Sequence, residues 1–176
     1  MRLNAITACI LLVSGLDLAC AQGVRQRISP HETTTATIDG AEISISYGRP
    51  SMRGRKIFGA LVPYGRIWCP GADECTKLTT NRDLRIGELQ VPAGSYSLWM
   101  LPTAGDWTLI ISRKADAFHS RYPAGDDLGR ITLEKRTLSE PVEQLTFSVD
   151  KNPQGRGGLL RMRWENTEVS TALVVQ

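Results

Sequence analysis

Residues 95–111, which read SYSLWMLPTAGDWTLII, decide the fold class of this sequence. Apolar side chains recur at every second position on both sides of a turn at 102–106: Tyr96, Leu98, Met100, Trp107, Leu109 and Ile111. A period of two is typical of strands that bury one face and leave the other in water. We therefore expect Trp107 to lie in the core, and we expect Trp99, on the opposite face, to be clearly less buried.

The same period recurs along most of the chain. The other inward-facing sets are Ile43, Ile45 and Tyr47; Ile131 and Leu133; Leu145, Phe147 and Val149; and Leu160, Met162 and Trp164. Turn signals separate these sets, among them Asp39-Gly40 and residues 152–158. We predict an all-β fold: a single antiparallel β-sandwich or barrel of about eight to ten short strands with long loops. Only residues 55–62 offer a helical alternative, of about one or two turns.

Length and composition limit the class of protein. The 176 residues are 41% hydrophobic and 22% charged. These values exclude a disordered chain, a coiled coil and a polytopic membrane protein. The net charge of +3 comes without a dense basic patch, so we expect no nucleic-acid partner. The length fits one domain, which we place at residues 33–176 after an N-terminal tail at 22–32.

The first 21 residues have the pattern of a secretory signal peptide. Arg2 gives a positive start, an apolar stretch follows, and Ala19-Cys20-Ala21 forms a small-residue exit. We predict cleavage after Ala21 and export to the periplasm or beyond. An N-terminal transmembrane anchor is a weaker alternative, because Asp17 interrupts an apolar stretch shorter than the roughly 20 residues a span needs. We expect no transmembrane span in the mature chain. Lipid attachment at Cys20 is a less favoured alternative, since Asp17 stands where that signal needs an aliphatic residue.

Export leaves two cysteines, Cys69 and Cys75, which frame the loop CPGADEC. Two thiols at this spacing in an oxidising compartment predict a disulfide, and closing so short a loop contributes about 2 kcal/mol. A redox pair and a zinc site are weaker alternatives. The spacing is not C-x-x-C, and the histidines of the mature chain, His31 and His119, are far away in sequence. We expect no metal and no cofactor.

The loops between residues 47 and 74 concentrate the recognition chemistry. Five cations and no acid lie between Arg49 and Arg66. Arginines bind carboxylate or phosphate through paired hydrogen bonds, and aromatic rings offer flat faces to a sugar or an aromatic group. The alternative is that the arginines are solvated or paired with acids, and we interpret residues 114–127, around His119, as surface. The candidate ligand-binding residues are Tyr47, Arg49, Arg55, Tyr64, Arg66, Trp68 and Glu74.

Long runs of the chain resemble the bacterial secreted DUF2911 family, a domain of unknown function. The matching runs are ISYGRPS at 45–51, GRKIFG at 54–59, LVPYGRIW at 61–68, VPAGSYSL at 91–98, WTLII at 107–111 and PVEQLT at 141–146. The resemblance implies an exported all-β domain and brings no established reaction, ligand or catalytic residue. Where the family usually reads R-T-G-A-N-E-A-T, this chain reads CPGADECT at 69–76. Two cysteines replace family residues together, as a disulfide would, and the family's arginine at position 69 is lost.

Three kinds of function fit these residues. We favour a non-enzymatic envelope module that binds a small anionic or carbohydrate-like molecule, a glycan or a protein, since the chain has no G-x-S-x-G, H-E-x-x-H, phosphate-loop or calcium-loop motif. A hydrolase or lyase is the second, with Glu74 and Asp73 or Asp83 as acid and base. In that case Arg49 or Arg66 would hold an anionic group. The third is an assembly module that pairs through a strand edge at residues 169–175.

Overall fold

The structure is a computed structural model that describes residues 28–176. Its nine strands form one antiparallel sheet in the order β1-β2-β3-β6-β7-β8-β9-β4-β5. The strands are β1 (His31–Ile38), β2 (Ala41–Gly48), β3 (Lys77–Thr80), β4 (Leu84–Ile86), β5 (Leu89–Val91), β6 (Gly94–Leu101), β7 (Trp107–Ser112), β8 (Asp127–Lys151) and β9 (Gly158–Val175). The sheet is not closed, so the predicted all-β fold is confirmed as an open, sandwich-like arrangement. The predicted signal peptide and residues 22–27 lie outside the described residues.

β1 and β2 form a hairpin around Asp39 and Gly40. Both residues have a positive φ, 46° and 81°, as a two-residue type I′ turn requires. The turn fixes the register, so that His31 pairs with Gly48 and Thr33 with Ser46. β1 begins at His31, which lies inside the N-terminal tail predicted at residues 22–32. The first strand thus starts two residues before the expected domain boundary at residue 33.

Two strands are much longer than the short strands that the sequence predicted. β8 covers 25 residues and β9 covers 18. The first part of β8 pairs with β7, and from Glu134 onward β8 pairs with β9. Register shifts between Thr137 and Thr146, together with a positive φ of 54° at Glu165, make this long pair irregular. One continuous strand therefore belongs to two parts of the sheet.

The core is built from the inward-facing sets that the sequence pattern named, and every one of those side chains is buried. Trp107 is fully buried, as predicted. Phe58, from the loop after β2, also enters this core. Its ring lies edge-on to Trp107 at 4.6 Å and to Trp164 at 6.0 Å. The long loop between β2 and β3 is thus anchored by an aromatic side chain.

The prediction that Trp99 is less buried was wrong. Its side chain is 1% exposed and packs on the other face of the sheet with Ile110, Cys69 and Cys75. The ring of Tyr122 lies 5.4 Å away from it at 67°. A period of two shows that one face is apolar, but it does not show whether loops cover the second face. Here loop residues from two distant parts of the chain cover it.

Two smaller expectations are also corrected. Residues 55–62 form turns and a bridge between Phe58 and Val62 instead of a helix, and Gly59 within them has a φ of 81°. Residues 169–175 lie within β9, and residues 173–175 pair with β4, so they are not a free edge for a partner. Within residues 28–176, no helix is long and apolar enough to cross a membrane.

Candidate functional site

A tight turn at residues 52–55 carries two arginines into one cleft. Arg53 and Gly54 have positive φ values of 50° and 72°, and the Arg55 amide donates to the Met52 carbonyl at 3.0 Å. The Arg55 guanidinium donates from Nε to Met52 O (2.9 Å) and from Nη2 to Ser51 O (2.8 Å). Glycine at the second turn position adopts this conformation without steric cost. The turn is therefore fixed by the chain and by the Arg55 side chain.

Aromatic rings form the base of this cleft. The rings of Trp68 and Trp164 are stacked, with centroids 6.1 Å apart and planes at 18°. Phe58 lies edge-on to both, at 6.2 and 6.0 Å. Two backbone hydrogen bonds of 2.8 Å join Trp68 to Met100 of β6. Because the rings are tied to the core and to the sheet, the base of the cleft is preformed.

We call this cleft the arginine cleft. Its volume is about 660 Å³. Its charged and aromatic lining residues are Arg53, Arg55, Arg66, Asp73, Trp68 and Trp164. Leu61 adds an apolar side chain that is 49% exposed. Three arginines against one aspartate give the described lining a net charge of +2, which attracts anions.

The three arginines of the cleft keep donors for a ligand. Arg66 is exposed and makes no hydrogen bond or ion pair to another residue of the part of the chain that the structure describes. Arg53 uses one amino group, on the carbonyl of Ile28 at 3.3 Å. Arg55 uses two of its donors in the turn. A guanidinium has five N–H donors, so each arginine retains some that can point into the cleft.

Tyr47 does not belong to this site, which corrects its prediction as a ligand-binding residue. Its side chain is fully buried, and its ring lies edge-on to Phe147 at 5.0 Å. The Phe147 amide donates to the Tyr47 hydroxyl at 3.1 Å. The reason is strand parity, because Tyr47 shares the inward face of β2 with Ile43 and Ile45.

Arg49 is a cross-link between strands and does not line the arginine cleft. Its Nη1 donates to Glu32 Oε2 at 2.6 Å. Its Nε donates to the Leu145 carbonyl at 3.2 Å, and its Nη2 donates to Thr146 Oγ1 at 2.9 Å. The side chain is only 24% exposed. These contacts join the chain after β2 to both β1 and β8, so Arg49 has a structural role.

Tyr64 and Asp83 also lie outside the lining of the cleft. Tyr64 is 44% exposed, and its ring covers Gly59 so closely that a Cβ there would lie 2.8 Å from it. Asp83 Oδ1 accepts a hydrogen bond from the Ala93 amide at 2.7 Å, which fixes the turn before β6. Both side chains therefore support loops.

The structure does not bring Glu74 together with Arg49 or Arg66, as the hydrolase alternative required. Glu74 Oε2 lies 3.5 Å from Nδ1 of His31, in a different pocket. Asp73 is the neighbouring acid that does line the arginine cleft. Within residues 28–176, no group of three or more His, Cys, Asp and Glu side chains is placed to hold a metal ion.

The Cys69–Cys75 loop forms part of the cleft. The two cysteines are joined with their Cα atoms 6.0 Å apart, and both side chains are buried. The loop lies directly against the end of β2, because a Cβ on Gly48 would overlap the Ala72 carbonyl. Asp73 lies in this loop and has a positive φ of 65°. The predicted cysteine pair thus holds one side of the arginine cleft in place.

Two cleft residues were not among the candidates from sequence. Arg53 lies in the same cationic stretch as Arg55 and Arg66. The sequence feature that could have identified it is the turn-forming pair Arg53-Gly54. The alternating pattern of residues 160–164 predicts Trp164 only as a core residue. Nothing in the sequence pairs Trp164 with Trp68, which come from distant parts of the chain.

The fold and the cleft define a class: an open, antiparallel all-β domain in which loops form a cationic cleft over stacked tryptophans. The chain belongs to the DUF2911 family, whose model, described as a protein of unknown function, matches residues 29–173. The resemblance seen in the sequence is thereby confirmed. Comparison with curated proteins and with solved structures gave no match.

Proposed function

We propose that this protein is a binding module whose arginine cleft takes a small ligand with a carboxylate or phosphate group and a flat apolar face, without converting it chemically. The observation that carries the proposal is the placement of three arginines around the stacked rings of Trp68 and Trp164. Free small molecules, glycans and proteins that present such a group are all partners of this kind.

Each part of the cleft matches one part of such a ligand. A guanidinium offers two parallel N–H groups that fit the oxygens of a carboxylate or phosphate. Trp68 is partly exposed and lies on the buried ring of Trp164, so its indole offers a flat surface for an aromatic ring or for the apolar face of a sugar. The cleft volume of about 660 Å³ lies within the usual range of small-molecule sites. Aromatic acids and acidic sugars meet both requirements.

The test is a titration that follows tryptophan fluorescence and calorimetric heat. Benzoate and glucuronate serve as anionic probes, and benzyl alcohol and glucose as neutral counterparts. We expect the anions to bind at least tenfold more tightly, and we expect Arg66→Ala to remove most of that difference. Arg82→Ala is the matched control, because Arg82 is an exposed arginine outside the cleft. A tenfold change in affinity corresponds to about 1.4 kcal/mol.

Two outcomes contradict the proposal. One is equal binding of anionic and neutral probes, because the arginines would then make no contact with the ligand. The other is anion binding that Arg66→Ala leaves unchanged but Arg82→Ala weakens. The second outcome would place the anion on the general surface charge instead of in the arginine cleft.

We further propose that the protein is exported to the periplasm or secreted. The signal-peptide pattern of residues 1–21 and the joined pair Cys69–Cys75 support this, since disulfides persist in oxidising compartments. The mature chain would then start at Gln22. Intact-mass measurement of the protein recovered from the envelope or the medium tests this start site.

A further inference from the structure

A second pocket, the histidine pocket, has chemistry that the arginine cleft does not share. Its volume is about 640 Å³, and its lining includes His31, Ser46, Glu74, Lys77 and His119. Asp73 lines both this pocket and the arginine cleft, so the Cys69–Cys75 loop contributes to both sites.

In the histidine pocket, one imidazole lies between a hydroxyl and a carboxylate. Nε2 of His31 lies 2.7 Å from Oγ of Ser46. Nδ1 of the same ring lies 3.5 Å from Oε2 of Glu74. A carboxylate at Nδ1 favours the tautomer with the proton on Nδ1, which leaves the Nε2 lone pair to accept the Ser46 hydroxyl proton. The order of the groups is that of a serine–histidine–acid triad, with the acid at ion-pair distance from Nδ1.

The register of the sheet explains why these residues meet. His31 pairs with Gly48 across the hairpin, so Ser46, two residues earlier on β2, is its diagonal neighbour. Both side chains lie on the outward face of their strands, opposite to the core. Glu74 reaches the ring from the Cys69–Cys75 loop. The arrangement is therefore supported by two paired strands and by a cross-linked loop.

Two further features of the pocket suit a substrate. Nδ1 of His119 is buried and has no hydrogen-bond partner among residues 28–176. A buried nitrogen without a partner costs free energy that a polar group of a bound molecule can recover. Phe118 is 66% exposed beside it and offers an apolar contact. The pocket thus combines the reactive group with places for a polar atom and an apolar group.

The charge of the histidine pocket disfavours anionic substrates. Asp73, Glu74 and Asp116 are its acids, and Lys77 is its only cation in the described lining. A hydrogen bond from Lys114 lowers the pKa of Asp116, so Asp116 stays ionised near neutral pH. An anionic ester would be repelled, whereas the arginine cleft attracts anions. The two sites therefore differ in the sign of their charge.

We propose that Ser46, His31 and Glu74 are the nucleophile, the general base and the orienting acid of an esterase site that hydrolyses neutral carboxylic esters with an apolar acyl group. This function is additional to ligand binding in the arginine cleft. Lys77 pairs with Ser46 across the strands and lines the pocket. In this proposal its ammonium group stabilises negative charge on the substrate oxygen.

The reaction balances with water as the only second reactant. Ser46 Oγ forms a bond to the ester carbonyl carbon while its proton passes to Nε2 of His31. The bond from that carbon to the alkoxy oxygen then breaks, and the leaving alcohol takes the proton from Nε2. Water attacks the acyl group on Ser46, again giving its proton to His31, and the carboxylic acid leaves as Oγ is reprotonated.

The first experiment labels the wild-type protein with a fluorophosphonate, which forms a covalent bond only with an activated serine. We expect one equivalent of label, located on Ser46 by peptide mass spectrometry. We also expect hydrolysis of p-nitrophenyl butyrate to fall roughly 10³-fold in Ser46→Ala and in His31→Ala, and by a smaller factor in Glu74→Gln. Ser44→Ala is the control, because Ser44 shares the outward face of β2 but lies outside the histidine pocket.

Either of two results overturns the esterase site. One is the absence of label on Ser46 under conditions that label a serine esterase. The other is a Ser46→Ala protein that hydrolyses the ester at the wild-type rate. The labelling uses the wild-type chain, so it decides the question even if a variant fails to fold. Benzoate binding in the arginine cleft should survive Ser46→Ala, which separates this test from that of the binding function.

Discussion

Arg49 and Arg66 should respond in opposite ways to the same substitution. From the sequence, both arginines were candidates for ligand contact. In the structure Arg49 bridges strands, while Arg66 lines the arginine cleft and has no partner in residues 28–176. Arg49→Ala should therefore reduce stability and leave benzoate affinity nearly unchanged. Arg66→Ala should weaken benzoate binding and leave stability nearly unchanged.

The expected loss for Arg49→Ala follows from its three hydrogen bonds. The ion pair with Glu32 contributes at most about 1 kcal/mol, because Glu32 is 42% exposed and water screens it. The bonds to Leu145 O and Thr146 Oγ1 are partly buried and have a charged donor. Bonds of that kind contribute about 1.5–3 kcal/mol each at the upper end. Allowing for partial exposure, we expect a total loss of about 2–4 kcal/mol.

Urea unfolding followed by circular dichroism measures this loss. Arg66→Ala should change the free energy of unfolding by no more than about 0.5 kcal/mol, as is usual for an exposed side chain without partners. Glu32→Gln should account for only a small part of the Arg49 effect. The reasoning is refuted if Arg49→Ala costs less than about 1 kcal/mol while abolishing benzoate binding.

Three further predictions concern burial, the cysteines and ionisation. Trp99→Ala should lower the free energy of unfolding in urea by about 3–5 kcal/mol, as much as Trp107→Ala, because both side chains are at most 1% exposed. A loss below half of the Trp107→Ala value would contradict the second buried face. Exported protein should give no thiol label when denatured without reductant, whereas two equivalents would show that Cys69 and Cys75 are free. Burial raises the pKa of Tyr122 above its usual 10.0, helped by its hydrogen bond to a carboxylate. The stability that Tyr122 contributes is therefore present below pH 10 and is lost as the pH rises through its raised pKa. In a pH titration followed by absorbance at 295 nm, Tyr122→Phe should remove an ionisation step that occurs above pH 10.

The sequence predicted the sheet well because strand parity is a local property. The inward-facing sets needed only neighbouring residues, and the Asp39-Gly40 turn alone determines which residues of β1 and β2 are paired. The same parity already placed Tyr47 in the core, beside Ile43 and Ile45. The prediction of Tyr47 as a ligand contact was wrong because neighbouring residues on a strand point to opposite faces, and Tyr47 lies on the buried face of β2.

The sites were harder to predict because they join distant segments. Arg49 finds its acceptors on β8, and Trp68 finds its stacking partner on β9. No local pattern reports such contacts. The pair His31 and Ser46 is different, because hairpin register makes them neighbours. The Asp39-Gly40 turn predicts that His31 and Ser46 are neighbours, but no feature of the sequence predicts that Glu74 lies near His31.

The continuity of β8 determines how the protein unfolds. Residues 127–133 pair with β7, while residues 134–151 pair with β9, yet they are one strand. If either part of β8 unfolded, the other part would lose backbone hydrogen-bond partners and the apolar side chains that bury it. Unfolding should therefore be a single cooperative event, with tryptophan fluorescence and far-ultraviolet dichroism giving the same midpoint. The amide hydrogens of β8 that are bonded to β7 or β9 should then exchange only through global opening, as one foldon, whereas those at the register shifts between Thr137 and Thr146 should exchange sooner.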